Sequence, residues 1–348
     1  MNISIVNDNP SITRLLEQII SIYSTHNVIW TADDGSVAVE KNSTSPPDLI
    51  LMDLIMPGMN GVEATKKIMK SSPCAILLVT ASVEGNAGMV FSAMASGALD
   101  AITTPNLSNT NTHSSLDNFL AKLSMIEKLV TATVRPLPGR DLSCSPDITR
   151  KPIVCIGSST GGPGALSIIL SGIPEDSEAT YVIVQHVDKN FISGLAEWLD
   201  AQCKLDVSIA KSGDKPMPGK IYVAGGDKHI TVNKYNKFQY TQHPVEYAYR
   251  PSIDIFFDSV VNYWHGKVIG VLLTGMGYDG AKGLLNIKNR GGVTIAQNEE
   301  TCAVFGMPRA AIMANAAQLV LPVQAISAAI EDEVYTAASI KIRTSADG

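Results

Sequence analysis

The chain has 348 residues, 45% hydrophobic and 17% charged, which describes a globular polymer too long for one ordinary core and long enough for two domains. A net charge of -6 and the lack of any Lys/Arg block leave no electrostatic footprint for nucleic acid. No apolar run has bilayer length, and the opening "MNISIVNDNP" has no basic segment ahead of an apolar one, so neither membrane insertion nor export is expected.

Residues 1 to about 105 alternate two patterns. "NISIV", "NVIWTA", "DLILMDL", "AILLVTA" and "DAITT" predict strands, and "SITRLLEQIISIY", "EATKKIMK" and "MVFSAMASG" predict helices between them. Such alternation implies a parallel sheet with crossover helices on both faces. "LDNFLAKLSMIEKLV" is the expected last helix of this half, and "RPLPGRDLSCSPDITRKP", rich in Pro, Ser and charge, predicts an extended linker over residues 133–151. From residue 152 the alternation restarts. "PIVCIG", "ATYVIVQ", "GKIYVAG", "VIGVLLTG", "GVTIAQ" and "AQLVLP" predict strands, while "GPGALSIILSGI", "FISGLAEWLDAQ" and "DGAKGLLNIKNRG" carry helical spacing. The fold expected is α/β, two doubly wound parallel-sheet domains over 1–132 and 152–342, the second with an antiparallel excursion around residues 220 to 250. Five cysteines, Cys74, Cys144, Cys155, Cys203 and Cys302, odd in number and never spaced CxxC, predict reduced thiols in a cytoplasmic protein and no zinc site.

Open parallel sheets hold ligands at the carboxyl ends of their strands. Asp8 closes the first strand of the chain and Asp53 closes "LILMD"; two carboxylates converging there can hold Mg²⁺, and one can itself take up a phosphoryl group. Thr80, closing "AILLVT", would offer a hydroxyl to the new phosphoryl oxygens. The competing reading is a pair of turns, since Asp and Asn are favoured after strands whatever the function.

The turn in "IVCIGSSTGGPGAL" has three readings: a phosphate cradle, a nucleophilic serine on a sharp bend, or close packing. A dinucleotide cradle needs G-x-G-x-x-G and an acid about 20 residues on. Gly157, Gly161, Gly162 and Gly164 miss that spacing, and the next strand ends in Gln185 and His186. "GSSTG" does fit G-x-S-x-G centred on Ser159, with Ser158 its competitor. A serine needs a base and a group to orient that base. His186 follows "TYVIVQ" and Asp279 follows "VIGVLLTGMGY", so all three fall at one sheet edge despite a spread of about 120 residues. Taken singly, each has a plain alternative: a glycine-loop hydroxyl, a core histidine, and a helix N-cap before "GAKGLL". His26, His113, His229, His243 and His265 show no metal-ligand spacing and read as surface or structural.

"IVNDNP", "LILMDLIMPGMNGVEATKKI", "ILLVTAS" and "SGALDAITTP" together resemble a response-regulator receiver domain. That resemblance implies Asp53 as phosphoacceptor, Asp8 and the Ile55 carbonyl as further Mg²⁺ ligands, and Thr80 and Thr104 as switch positions. Asn7 stands where the family has a second acid, Thr104 where it has a lysine, and Ala101 where it has an aromatic. "IGSSTGGPGAL", "VIVQHV", "YVAGGDKHI", "YRPSIDIFFDSV", "GVLLTGMGYDGAKGL" and "TIAQNEETCAVFGMPRAAI" resemble the catalytic domain of chemotaxis-type protein-glutamate methylesterases, the CheB family, and "IVNDNP" with the lysine-less "TTP" looks most like its Wsp surface-sensing branch. The family implies Ser159 as nucleophile, His186 as base and Asp279 as its orienting acid, with Thr160 and Met276 lining the site and Arg250 facing an acidic receptor helix. It also implies methyl-accepting chemoreceptors as substrates, a CheA-type histidine kinase as phosphodonor, and glutamine deamidation at the same site. No cofactor is expected for the esterase, and the receiver would restrain it until Asp53 is phosphorylated. Two other classes remain at this stage: a catalytically silent receptor-binding adaptor and a dinucleotide-dependent enzyme.

Overall fold

In a computed structural model the first half of the chain lays down β1 (Asn2–Val6), α1 (Pro10–Tyr23), β2 (Asn27–Ala32), α2 (Gly35–Thr44), β3 (Leu49–Met52), α3 (Gly61–Ser71), β4 (Ala75–Thr80), α4 (Ala87–Ala95), β5 (Asp100–Thr103) and α5 (Thr112–Thr131). The structure describes residues 1–81, 86–105, 112–131, 151–245, 247 and 249–346, and side chains only outside 112–114, 128–131 and 337–346. Except for Lys151, the segment read as a linker lies outside the described residues, as does Cys144. Contacts divide the chain into two units, Met1–Thr133 and Val134–Gly348.

The sheet of the first unit runs β2-β1-β3-β4-β5 with every neighbour parallel. β3 is buried at all four positions, as expected of a strand covered by helices on both faces. Ile3, Ile5, Leu49, Leu51, Leu77 and Val79 meet Leu16, Ile19 and Ile20 of α1 and Phe119, Leu123 and Ile126 of α5 in one core. α1 starts where Asn9 accepts from the Ser11 N–H and Pro10 takes the first turn. The sequence reading did not anticipate α2: "GSVAVEKNST" has weak helix formers and no clear apolar stripe, and the Asp34 cap and packing on α3 stabilise it instead. Strand order reverses between β1 and β3, and the crevice opened there lies just beyond Val6 and Met52.

The second unit contains β6 (Ile153–Ser158), α6 (Gly162–Ser171), β7 (Thr180–Gln185), α7 (Ile192–Asp200), β8 (Asp206–Ile209), β9 (Lys220–Val223), β10 (His229–Val232), β11 (Phe238–Thr241), α8 (Ile253–Tyr263), β12 (Val268–Leu272), α9 (Ala281–Asn289), β13 (Val293–Gln297), α10 (Met307–Met313), β14 (Leu319–Leu321) and α11 (Val323–Ala346). Its seven-stranded sheet, β14-β13-β12-β6-β7-β9-β8, is parallel throughout. The antiparallel excursion is narrower than the sequence suggested: β9 joins the parallel sheet, and among the described residues only β10 and β11 form an antiparallel hairpin. β8 escaped notice because its four edge residues alternate only between exposed and half-buried. α8, α10 and α11 were not anticipated either. In α8 the polar residues Asp254, Asp258 and Asn262 recur every fourth position, a helical spacing that the sequence reading overlooked along with the point where the helix begins. Ser252 settles it by accepting from Ile255 N–H as the cap, and Phe256, Phe257 and Val260 then pack with Leu272 and Leu284.

Among the described residues no helix is long and apolar enough to cross a membrane, and Cys74, Cys155, Cys203 and Cys302 are free thiols.

Candidate active site

β6 and β7 pair through Ser158 and Gln185, so the next residues along, Ser159 and His186, leave the sheet side by side, one strand spacing of about 4.8 Å apart. This register separates the two serines. Ser158 ends the strand fully buried and donates to Gln185 Oε1 at 2.5 Å. Ser159 begins the turn, its N–H donating to the Thr274 carbonyl beyond β12 at 3.0 Å. Gln185 then fixes both ends of the edge at once: its Nε2 donates to the carbonyls of Ser159 at 2.8 Å and His186 at 2.9 Å. The glycines of the turn follow from this clamp. Gly161 sits at φ +77°, and a Cβ on Gly162 would lie 2.0 Å from Gln185 Oε1. Among the described residues the N–H groups of Thr160 and Gly161 donate to no acceptor, and they begin the turn that leads into α6.

His186 Nε2 lies 2.9 Å from Asp279 Oδ2, with both side chains 7% exposed. Asp279 also accepts from Ser252 Oγ at 2.8 Å and from the backbone N–H groups of Ile253 at 2.8 Å and Asp254 at 3.1 Å. It therefore caps α8, not the α9 that follows it in sequence. Burial works to raise the Asp279 pKa, but these hydrogen bonds and the imidazole outweigh it, and the carboxyl titrates below its ordinary range. An ionised, acceptor-only Asp279 makes Nε2 the protonated nitrogen of His186. Nδ1 is then the basic one, and it is buried with no hydrogen-bond partner. No hydrogen bond joins it to Ser159 Oγ in this structure.

Two more titratable groups stand behind the pair. Asp254, 5% exposed, accepts from Gly283 N–H at 2.7 Å, and burial followed by the charge on Asp279 pushes its pKa up to about 7. His229 donates from Nε2 to the Pro244 carbonyl and accepts at Nδ1 from Ser252 N–H, each at 3.1 Å, and burial lowers its pKa. The sequence reading of His229 as structural agrees with this placement, although through Ser252 it lies one residue from Asp279.

In the first unit Asp53 follows β3 half-buried, and Asp8 follows β1 in solvent. Asp53 Oδ1 accepts from Leu54 N–H at 2.7 Å, and Oδ2 accepts from Asn7 Nδ2 at 3.1 Å. Asn7 is itself fixed, its Oδ1 accepting from Asn9 N–H at 2.9 Å. Burial raises the Asp53 pKa, the N–H groups of Leu54 and Ile55 oppose the rise, and the charge of Asp8 adds to it. Asp8 thus lies within electrostatic reach of Asp53, and with a backbone carbonyl such as that of Ile55 the two carboxylates offer the oxygen donors Mg²⁺ prefers. Thr80 ends β4 and Thr104 follows the adjacent β5, Thr104 N–H donating to the Thr80 carbonyl at 2.9 Å, and the Thr104 hydroxyl is buried without a partner.

Comparison with known proteins places each half of the chain in a family. Residues 154–330 match the CheB methylesterase model and residues 3–113 the response regulator receiver domain. A "Protein-glutamate methylesterase/protein-glutamine glutaminase 1" of Burkholderia lata is 46% identical over 328 residues, 94% of this chain and 97% of that protein. A protein-glutamate methylesterase/protein-glutamine glutaminase 2 of Cupriavidus metallidurans is 46% identical over 327 residues, 94% of this chain and 96% of that one. This chain belongs to the CheB methylesterase family. The crystal structure of the Thermotoga maritima CheB methylesterase catalytic domain matches at a TM-score of 0.50 and 38% identity, covering 52% of this chain and 97% of that domain.

Within this CheB-family fold the other positions singled out from sequence are spread around the edge. Thr160 is buried in the turn, its carbonyl accepting from Thr274 Oγ1 at 2.9 Å, and Met276 is half-buried in the loop after β12. Arg250 is exposed and donates from Nη2 to the Val245 carbonyl at 3.0 Å, a bond within its own loop. Sequence reasoning overlooked three residues that hold the edge together: Gln185, Ser252 and Tyr249. Gln185 was legible in part, because a polar residue closing the apolar strand "TYVIV" must find partners when buried. Ser252 signals only the start of a helix, and nothing in the chain order links Tyr249 to His186, whose imidazole its ring faces at 4.3 Å.

Proposed function

We propose that this chain is a protein-glutamate methylesterase in which Ser159, His186 and Asp279 form the catalytic triad and the receiver controls its activity. The observation that carries this reading is the buried His186–Asp279 pair, whose other imidazole nitrogen has no partner and which sits at the strand end neighbouring that of Ser159. His186 Nδ1 takes the Ser159 proton as Oγ attacks the carbonyl of a glutamate γ-methyl ester, and Asp279 holds the imidazole in orientation and balances its charge. The oxyanion meets the N–H groups of Thr160 and Gly161, a contribution of roughly 3 kcal/mol per donor. Nδ1 returns the proton to the methoxide oxygen and methanol leaves. Water then attacks the acyl-enzyme with His186 again as base, releasing the glutamate and restoring Ser159. A glutamine amide follows the same steps with ammonia leaving, which accords with the double name of the relatives. The substrate is a methyl-accepting chemoreceptor, with Thr160 and Met276 bordering its side chain and Arg250 facing acidic residues of its helix.

In the receiver Asp53 accepts a phosphoryl group from a CheA-type histidine kinase, with Thr80 and Thr104 as the switch positions. Asp8, Asp53 and the Ile55 carbonyl would hold Mg²⁺, whose charge offsets that of the phosphoryl oxygens when it is bound. Asn7 keeps Asp53 oriented by donating to Oδ2. The deciding experiment measures methanol release from a methylated receptor by the wild type and by Ser159→Ala. Loss of release in the variant is expected, and equal rates would refute the mechanism. Incubation with a kinase should likewise give a phosphoryl adduct that Asp53→Ala abolishes.

A further inference from the structure

We propose that Tyr249 is a positioning residue for the base of this site, ordering the His186 imidazole and favouring its charged form in the transition state through the face of its ring. The proposal rests on the Ser159–His186–Asp279 reading. Its starting point is how little else holds His186. The imidazole has one polar tether, Nε2 to Asp279, and its opposite nitrogen has none. A ring tied at one atom can still pivot about that bond, which would sweep Nδ1 away from the serine.

The tyrosine removes that freedom. Its ring lies 4.3 Å from the imidazole, centroid to centroid, with only 9° between the planes. Two flat rings in face contact at this distance lock each other's tilt, and the imidazole keeps rotation only within its own plane, which the Asp279 bond already forbids. The same contact has an electrostatic consequence. When Nδ1 takes the serine proton the imidazole becomes a cation, and the negative face of a phenol ring favours a cation over a neutral ring. With the His186 side chain 7% exposed, little water competes for that role.

Described residues on both sides of Tyr249 are anchored. The Pro244 carbonyl accepts from His229 Nε2, and Ser252 N–H donates to His229 Nδ1, so one buried imidazole ties both ends of the segment. Tyr247, two residues earlier, meets His229 edge-on at 6.0 Å and 76°. Arg250 closes the loop on itself through Val245. Residues 247 and 249 thus each set a ring against one histidine, and only the second of these histidines carries the reaction.

The test uses the full chain with Tyr249→Phe, Tyr249→Leu and a variant carrying pentafluorophenylalanine at 249, a ring of similar shape with reversed quadrupole. Two readouts are taken: methanol release from a methylated receptor, and the His186 Hε1 proton resonance without substrate. Tyr249→Phe is expected to keep kcat within about twofold, and Tyr249→Leu to lower it roughly tenfold with KM unchanged. The fluorinated ring should lower kcat as leucine does, and it decides the matter if the leucine variant fails to fold. The Hε1 signal should lie upfield in the wild type and Tyr249→Phe and move downfield in Tyr249→Leu, as the ring current is lost. A wild-type kcat in either the leucine or the fluorinated variant overturns the proposal, and so does an unmoved Hε1 signal. Ser159→Ala in the same assay tests the triad separately, because the resonance reports the stack whether or not the serine is the nucleophile.

Discussion

Three side chains decide how the sites behave. Asp254 carries the clearest pH consequence. Its pKa is raised to about 7 in the fold from 3.8, so the native state holds a proton that the unfolded chain has lost, and stability falls as pH rises across that window. Asp254→Asn keeps an acceptor for Gly283 and removes the proton. Its stability relative to wild type should therefore grow by about 1.4 kcal/mol per pH unit between pH 4 and 7 and level off above. Chemical denaturation at several pH values checks this, and a constant difference would disprove it. His229, with its lowered pKa, acts in the opposite direction below about 6.5 in both proteins and cancels in the comparison. In the receiver, Asn7→Asp converts a donor to Asp53 into a third carboxylate, and calorimetry is expected to show Mg²⁺ binding tightened by roughly tenfold, with a less stable protein when the ion is withheld.

At the level of elements the esterase edge is made by loops that borrow order from their neighbours. Asp279 belongs by sequence to the start of α9 but spends its acceptors on the start of α8. Asp279→Ala should thus cost about 2 kcal/mol of stability as well as activity, because it uncaps a helix and leaves buried donors without partners. A variant inactive yet as stable as wild type in urea would contradict that dual role. The turn into α6 is similarly dependent on β7. A Cβ at Gly162 displaces the Gln185 amide that holds the carbonyls of Ser159 and His186, so Gly162→Ala is expected to lower both melting temperature and kcat, by about 2–4 kcal/mol in stability.

Across the molecule, each unit has its own parallel sheet and its own core. All hydrogen bonds described for the esterase edge are made within residues 153–306, so a chain lacking residues 1–133 is expected to fold and to hydrolyse receptor esters. If the receiver restrains the esterase, that shorter chain is faster than the unphosphorylated full chain in methanol release. Equal rates would remove the restraint and leave the receiver some other role.

Much of this was readable along the chain because local physics wrote it there. Buried parallel strands need unbroken apolar runs, and "LILM" and "TYVIV" have them; the residues just past such runs must lie at the carboxyl edge, which brought Asp8, Asp53, Ser159, His186 and Asp279 to notice. Elements without that imprint were missed: α2, with its poor helix formers, and β8, an edge strand of four residues. Only the tertiary structure decided which serine is tied to Gln185, which nitrogen of His186 is free, which helix Asp279 caps, and that Tyr249 covers the imidazole. Those are relations between residues distant in sequence. They depend on strand register and on loops docking across it, and a linear chain carries no period or propensity that records either one.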